Sequence, residues 1–145
     1  MNSLVWSVNS QVDEVYAMVD NHGAAVDINS SLTVRFENGV MASIVIGGNC
    51  LAAGGHMVFI FEKGRVEIDG WGGGWIKVFA DGEDEEPVLD EKKITPTDNF
   101  IDALLDLDTV RVTTEHGIIH SELMDAVYES ARTKQPVRFR EAALA

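Results

Sequence analysis

The sequence predicts an α+β fold, an open and mainly antiparallel β-sheet with helices packed on one face. Three observations carry that expectation. Residues 31–37 alternate strictly between apolar and polar, β-branched and aromatic runs recur around turn residues, and two later stretches repeat apolar positions at helical spacing. At 145 residues the chain has the length of one domain, residues 1–145.

The elements follow in chain order. Residues 3–8 (Ser-Leu-Val-Trp-Ser-Val) are apolar but too short for a helix of their own. They read as the end of one, so the chain opens inside an element. Residues 12–19 are rich in β-branched and aromatic side chains and read as a strand. A polar, Gly-containing connection covers residues 20–29. In residues 31–37, Leu32, Val34 and Phe36 share one face and Thr33, Arg35 and Glu37 the other. Asn38-Gly39 predicts a two-residue hairpin turn, because both positions tolerate positive φ, and the chain returns over residues 40–46.

Gly47-Gly48 to Gly54-Gly55 reads as a loop. Residues 57–61 and 65–69, joined by Glu62-Lys63-Gly64, predict a second hairpin. Residues 75–79 form a further strand after the glycine-rich loop 70–74. The acidic run 81–86 reads as a solvated loop, since like charges repel and stay exposed, and weakly structured residues follow to Lys93. Thr95, Pro96 and Asp98 signal a helix start, with Phe100, Ala103, Leu104 and Leu107 on one stripe. A second helix opens near Thr114 and carries Ile119, Leu123, Ala126, Val127 and Ser130 at helical spacing. Arg132 and Lys134 suit its negative end, and Pro136 stops it.

Strand 40–46 is apolar on both faces, with Val40, Ala42, Ile44 and Ile46 against Met41 and Val45, and strands 57–61 and 75–79 repeat the pattern. A sheet with one solvated face alternates more cleanly. Two or three short helices cannot cover both faces, so the second face, through Met41 and Val45, is expected to meet another copy or domain.

The formal net charge of −13 argues against nucleic acid, which draws affinity from clustered Lys and Arg, and against an anionic membrane surface. Cys50 is the single cysteine, so there is no disulfide framework and no cysteine-based zinc site. No run reaches the length of a membrane span, and the first residues lack a signal peptide's basic start. A cytoplasmic location is the default expectation.

Signals for chemistry are thin. His116 and His120 sit four apart on a helix, but Gly-Ile-Ile between them is not a zincin pattern, and ordinary polar positions are expected. The run Gly70-Trp-Gly-Gly-Gly-Trp75 lacks a Lys-Ser/Thr pair and leads into no helix. Gly-x-Gly-x-x-Gly occurs nowhere, so no dinucleotide fingerprint is present. Ser43, Ser121 and Ser130 lack a nucleophile-elbow context, and Cys50 has no evident base beside it. Asp27, Asp69, Asp98 and Asp102 are available acids, without a sign of which converge. From the residues alone the reading stops at a soluble α+β domain expected to be oligomeric, with no catalytic, cofactor-binding or metal residue assigned and substrate contacts unassigned.

Three stretches resemble the Gfo/Idh/MocA oxidoreductase family, which includes glucose–fructose oxidoreductase and inositol dehydrogenase. Residues 33–44 (Thr-Val-Arg-Phe-Glu-Asn-Gly-Val-Met-Ala-Ser-Ile) are similar to the central hairpin of the family's second domain. Residues 62–69 (Glu-Lys-Gly-Arg-Val-Glu-Ile-Asp) resemble its next hairpin. Asp98-Asn-Phe-Ile-Asp-Ala103, with residues 126–137, resembles its closing helices and final strand. The similarity is colinear over residues 4–138.

The resemblance implies a C-terminal domain whose open sheet face forms dimer or tetramer contacts. In the full enzyme it lies beside an N-terminal Rossmann domain holding NAD or NADP, and a hydride moves between the nicotinamide and a sugar or polyol. The Rossmann fingerprint, the Glu-Lys-Pro segment with the catalytic lysine, and the family's His would then lie at or before Met1. Trp6 matches the aromatic residue ending the family's His-x-x-Asp helix, which puts Asn2 about where its Asp would be. The isolated chain is expected to be inactive. The alternative is a stand-alone ligand-binding or interaction module that has lost the cofactor domain.

Overall fold

The computed structural model describes residues 1–51, 54–70, 73–85, 87–88 and 94–139. The elements run α1 (Asn2–Val8), β1 (Val12–Asp20), β2 (Asn29–Phe36), β3 (Met41–Gly47), β4 (His56–Phe61), β5 (Gly64–Asp69), β6 (Ile76–Ala80), β7 (Glu83–Glu85), α2 (Pro96–Leu104), α3 (Thr114–Thr133) and β8 (Val137–Arg138). Two open antiparallel sheets and three helices make the fold α+β, as the sequence predicts. The chain divides into two compact units, Met1–Asn49 with Thr97–Ala145, and Cys50–Pro96.

The first unit contains a sheet in the order β3-β2-β1-β8. Strict alternation in β2 sends Ser30, Leu32, Val34 and Phe36 inward and leaves Ser31, Thr33 and Arg35 exposed. In β1 a bulge between Val12 and Glu14 shifts the phase, so Val12, Val15 and Ala17 all face the core although Val12 and Val15 are three apart. Helix α3 packs on β1 through Leu123, Ala126 and Val127, and Val5 of α1 completes the buried cluster. Removing that apolar area from water is the main favourable term for this unit.

Ser130 closes the helix onto the sheet. Strand β8 pairs with Glu14 and Val15, and no other described strand pairs with the edge of β1 beyond it. There the Ala17 N–H donates to Ser130 Oγ (2.9 Å), and Ser130 Oγ donates to the Gln135 carbonyl (2.7 Å). The hydroxyl is fully buried, and both of its bonds are made inside the protein. Lys134 ends α3 in the left-handed region (φ 57°), its N–H donating to the Ser130 carbonyl. Arg132 lies in the last turn and pairs with Glu129 (2.7 Å).

Two turns depart from expectation. The β2–β3 connection has three residues, because Phe36 N–H donates to the Val40 carbonyl and Gly39 N–H to the Phe36 carbonyl. Only Gly39 has positive φ (87°), which is a type I turn closed by a glycine bulge in place of the two-residue turn. The two-residue turn with both φ positive falls instead at Asp81 (54°) and Gly82 (90°). It returns the chain as β7 against β6, so part of the acidic run is an exposed edge strand and not a loop.

The second unit contains the sheet β4-β5-β6-β7. Met57, Phe59, Val66, Ile68, Ile76 and Val78 share one face, and each is only half-buried. The other face carries Val58, Ile60, Arg65, Glu67, Lys77 and Phe79. Gly64 is required by close approach, since a Cβ there would overlap the Phe79 carbonyl. Trp71 and Gly72 of the glycine-rich loop, Glu86 of the acidic run, and residues 89–93 of the weakly structured stretch lie outside the described residues.

Candidate functional surfaces

The outer face of the first sheet, away from α3, is the largest feature the sequence singled out. Cross-strand registers place Met41 beside Arg35, Thr33 between Ser43 and Tyr16, and Ser31 between Val45 and Met18. Met41 is 69% exposed and Val45 82%, with Met18 at 60% and Tyr16 at 39%. Small hydroxyl residues separate these side chains, so the face presents apolar groups on a low, even base. At one margin Arg138 and Glu14 form an ion pair (2.7 Å).

A second feature is an open cleft of about 360 Å³ between the end of α1 and the start of α3, lined by Asn9, Gln11, Glu115 and His116 with Val5 and Ile119. His116 has a local task here. Its Nδ1 accepts the Thr113 N–H (3.2 Å) and lies 3.1 Å from Thr113 Oγ1, the capping-box role usually taken by Glu or Gln. That acceptor role puts the proton of a neutral ring on Nε2. The Thr113 hydroxyl also holds the Glu115 carboxyl below its usual range. The cleft thus presents the Glu115 carboxylate, the His116 imidazole and the side-chain amides of Asn9 and Gln11.

The remaining candidates are separated. Asp27 accepts hydrogen bonds from Tyr128 Oη (2.9 Å) and Ser30 Oγ (3.2 Å). These bonds lower the Asp27 pKa and raise that of Tyr128. Asp69 accepts the Gly74 N–H (3.1 Å). Asp98 sits in the first turn of α2, and Asp102 takes loop amides on its carbonyl. Ser121 bonds back to the Gly117 carbonyl, Ser43 is exposed on β3, and Cys50 is exposed. Asn2 and Trp6 lie on α1, where Trp6 Nε1 donates to the Arg111 carbonyl (3.0 Å). His120, one turn beyond His116, is half-buried.

Sequence reasoning missed Asn99. Its side chain donates to the Thr109 carbonyl (2.9 Å) and Asp108 (3.2 Å) and accepts the Arg111 N–H (3.1 Å). It therefore folds the segment after α2 back onto the helix. Its place directly after Asp98 in the first turn was the only available signal.

Among the described residues, no group of three or more His, Cys, Asp or Glu could hold a metal ion. Every described strand pair is antiparallel, and no described segment forms the strand–glycine turn–helix unit that cradles a dinucleotide pyrophosphate. Among the described residues, no helix is long and apolar enough to cross a membrane.

The family profile described as the C-terminal alpha/beta domain of the Gfo/Idh/MocA oxidoreductase family matches residues 7–139. This chain belongs to that family. No curated protein matched the sequence. Among solved structures, the aldose–aldose oxidoreductase of Caulobacter crescentus, complexed with glycerol, aligns at TM-score 0.81 and 17% identity. That alignment covers 95% of this chain and 44% of the other. The Bordetella pertussis WlbA dehydrogenase, in complex with NADH and UDP-GlcNAcA, aligns at 0.74 and 23% identity over 97% of this chain and 44% of its own. An NAD-binding protein from Listeria innocua gives 0.73 and 20%, covering 95% and 48%. The family chain described here thus spans a little under half the length of these solved relatives.

Proposed function

We propose that this chain is the substrate-binding and self-associating domain of an NAD(P)-dependent sugar or polyol oxidoreductase, and that it does not catalyse hydride transfer alone. The carrying observation is the family match over residues 7–139, which runs through both compact units and so supports residues 1–145 as one domain. Glycerol, a nucleotide sugar and NADH in the related structures support the substrate class and the cofactor. The reading includes a cytoplasmic location, where nicotinamide pools are available.

Self-association is assigned to the outer sheet face. Sheets pack face to face about 10 Å apart with their side chains interdigitating, and the small Ser31, Thr33 and Ser43 leave room among Met18, Met41 and Val45 for side chains of a second copy. Replacing Met41 and Val45 with Asp should lower the light-scattering mass while far-UV circular dichroism stays folded. A variant that keeps the parent mass would remove the face from the reading. Added NADH should leave the melting temperature of the 145-residue chain unchanged, because only a ligand that binds the native state stabilises it. A concentration-dependent rise would sink the claim that the cofactor is bound elsewhere.

A further inference from the structure

The cleft between α1 and α3 is built from parts that are bonded in place. The chain leaves α1 through Asn9 in the left-handed region (φ 47°), its N–H donating to the Val5 carbonyl. Two residues on, the Gln11 carbonyl accepts the Glu37 N–H. On the α3 side, the His116 ring is held by the bond from the Thr113 N–H to its Nδ1. Val5 is fully buried and Ile119 half-buried, and both already pack into the core, so they give the cleft an apolar wall. At about 360 Å³ it is at the lower end of the roughly 300–1,000 Å³ of small-molecule sites. Walls fixed beforehand lose little freedom when a ligand enters.

The polar groups of the lining select the ligand's chemistry. Glu115 supplies a carboxylate, and no Lys or Arg lines the cleft. A phosphate or carboxylate ligand would meet that like charge with nothing to offset it. Among the described residues, His116 Nε2 and the side-chain amides of Asn9 and Gln11 have no hydrogen-bond partner. With Nδ1 accepting, Nε2–H is a donor, and each amide brings both a donor and an acceptor. An ammonium only donates, so it would satisfy Glu115 and leave the His116 and amide N–H groups unmatched. A hydroxyl both donates and accepts. Several hydroxyls on a short carbon chain or ring answer all of these groups, while their C–H surface lies on Val5 and Ile119.

We infer that this cleft is a binding site for an uncharged polyol, formed by the 145-residue chain itself. It requires neither a nicotinamide nucleotide nor a second domain, so it goes beyond the proposed function and is tested apart from it. The isotope-labelled chain is titrated with glycerol, sorbitol and myo-inositol and followed by amide and imidazole NMR. The expected result is a saturable shift, for at least one of the three, centred on Gln11, His116 and Gly117. Binding should be about tenfold weaker in Glu115→Gln, the loss of one charge-assisted hydrogen bond, and weaker also in Gln11→Ala. Both side chains are exposed, so both variants should keep the parent far-UV circular dichroism. Shifts that rise linearly with all three polyols overturn the inference. Saturation that neither substitution weakens also overturns it, since the polyol then sits elsewhere. Ethylammonium or phosphate moving the same signals at lower concentration than any polyol overturns the assigned ligand class.

Discussion

The two compact units contain the same kind of sheet and differ in what lies on it. In the first, α3 covers one face of β1 and β2, and side chains such as Val15, Val34, Phe36 and Leu123 are fully out of water. In the second, no described residue reaches that state, although Met57, Phe59, Val66, Ile68, Ile76 and Val78 make an equally apolar face. Four antiparallel strands supply hydrogen bonds in both cases. The hydrogen bonds of a sheet add little net stability beyond those the chain makes with water. What separates the units is the helix, and the difference assigns most of the folding free energy to the first.

The largest test of that contrast is a pair of truncations. Leu123→Ala should cost about 3 kcal/mol, since it opens a cavity in a closed core. Phe59→Ala removes a larger side chain from a half-wet face and should cost less than half as much by urea midpoint. Equal losses would show that the second sheet is covered after all. Amide exchange gives the same comparison without mutation: β5 amides should exchange through openings of lower free energy than those of β1.

Next in size is Ser130→Ala. It strands the Ala17 N–H on the stretch of β1 beyond β8 and should cost about 2 kcal/mol, the penalty of a buried donor left unsatisfied. Ala17 should lose exchange protection while β5 amides in the other unit keep theirs. If both units loosen together, they fold as one cooperative body and the contrast is wrong.

Much of the first unit is legible in the sequence. The alternation of residues 31–37 gives the inward set of β2, and the spacing of Leu123, Ala126, Val127 and Ser130 gives the buried face of α3. Periodicity fails where geometry depends on a distant partner. The bulge that lets Val12 and Val15 share a face, and the two-residue β8 that closes beside β1 from the far end of the chain, are set by pairing and not by local pattern. The stripe on α2 is visible as amphipathicity, but amphipathicity says only that a partner exists, not that the apolar side points away from the fold. The division of strands between two sheets has no local signal.

The turns show the limit most clearly. Asn38-Gly39 and Asp81-Gly82 are both good pairs for a primed turn, yet only the second forms one. The first is stretched by one residue because Phe36 and Val40 close the hairpin around Glu37, Asn38 and Gly39. Replacing Gly39 or Gly82 with Ala forces a side chain into positive φ, with a cost of about 1 kcal/mol in each case. At Gly39 the loss should appear in the global midpoint, because β2 and β3 frame the core. At Gly82 it should appear only as faster exchange in β6. A global shift from Gly82→Ala would again erase the contrast between units.

The smallest expected effect is electrostatic, and each unit has its own version. In the first, Tyr128 and Ser30 hold the Asp27 carboxyl below its usual range. In the second, Arg65 does the same for Glu67, with His56 adding to it. A lowered folded pKa contributes stability above the unfolded value, near 4 for a carboxyl, that is lost as pH falls through the folded value. Tyr128 is raised by Asp27, so its share is present below an unfolded value near 10 and lost as pH rises through the folded one. The Asp27–Tyr128 bond should therefore stabilise the first unit across the intervening range and fade at both ends. Tyr128→Phe should flatten the acid and alkaline limbs of the melting-temperature profile. Glu67→Gln should change the acid limb of β5 exchange and leave the global profile nearly as it was. If Glu67→Gln shifts the global acid limb as much as Tyr128→Phe does, the Cys50–Pro96 unit carries a full share of the cooperative transition.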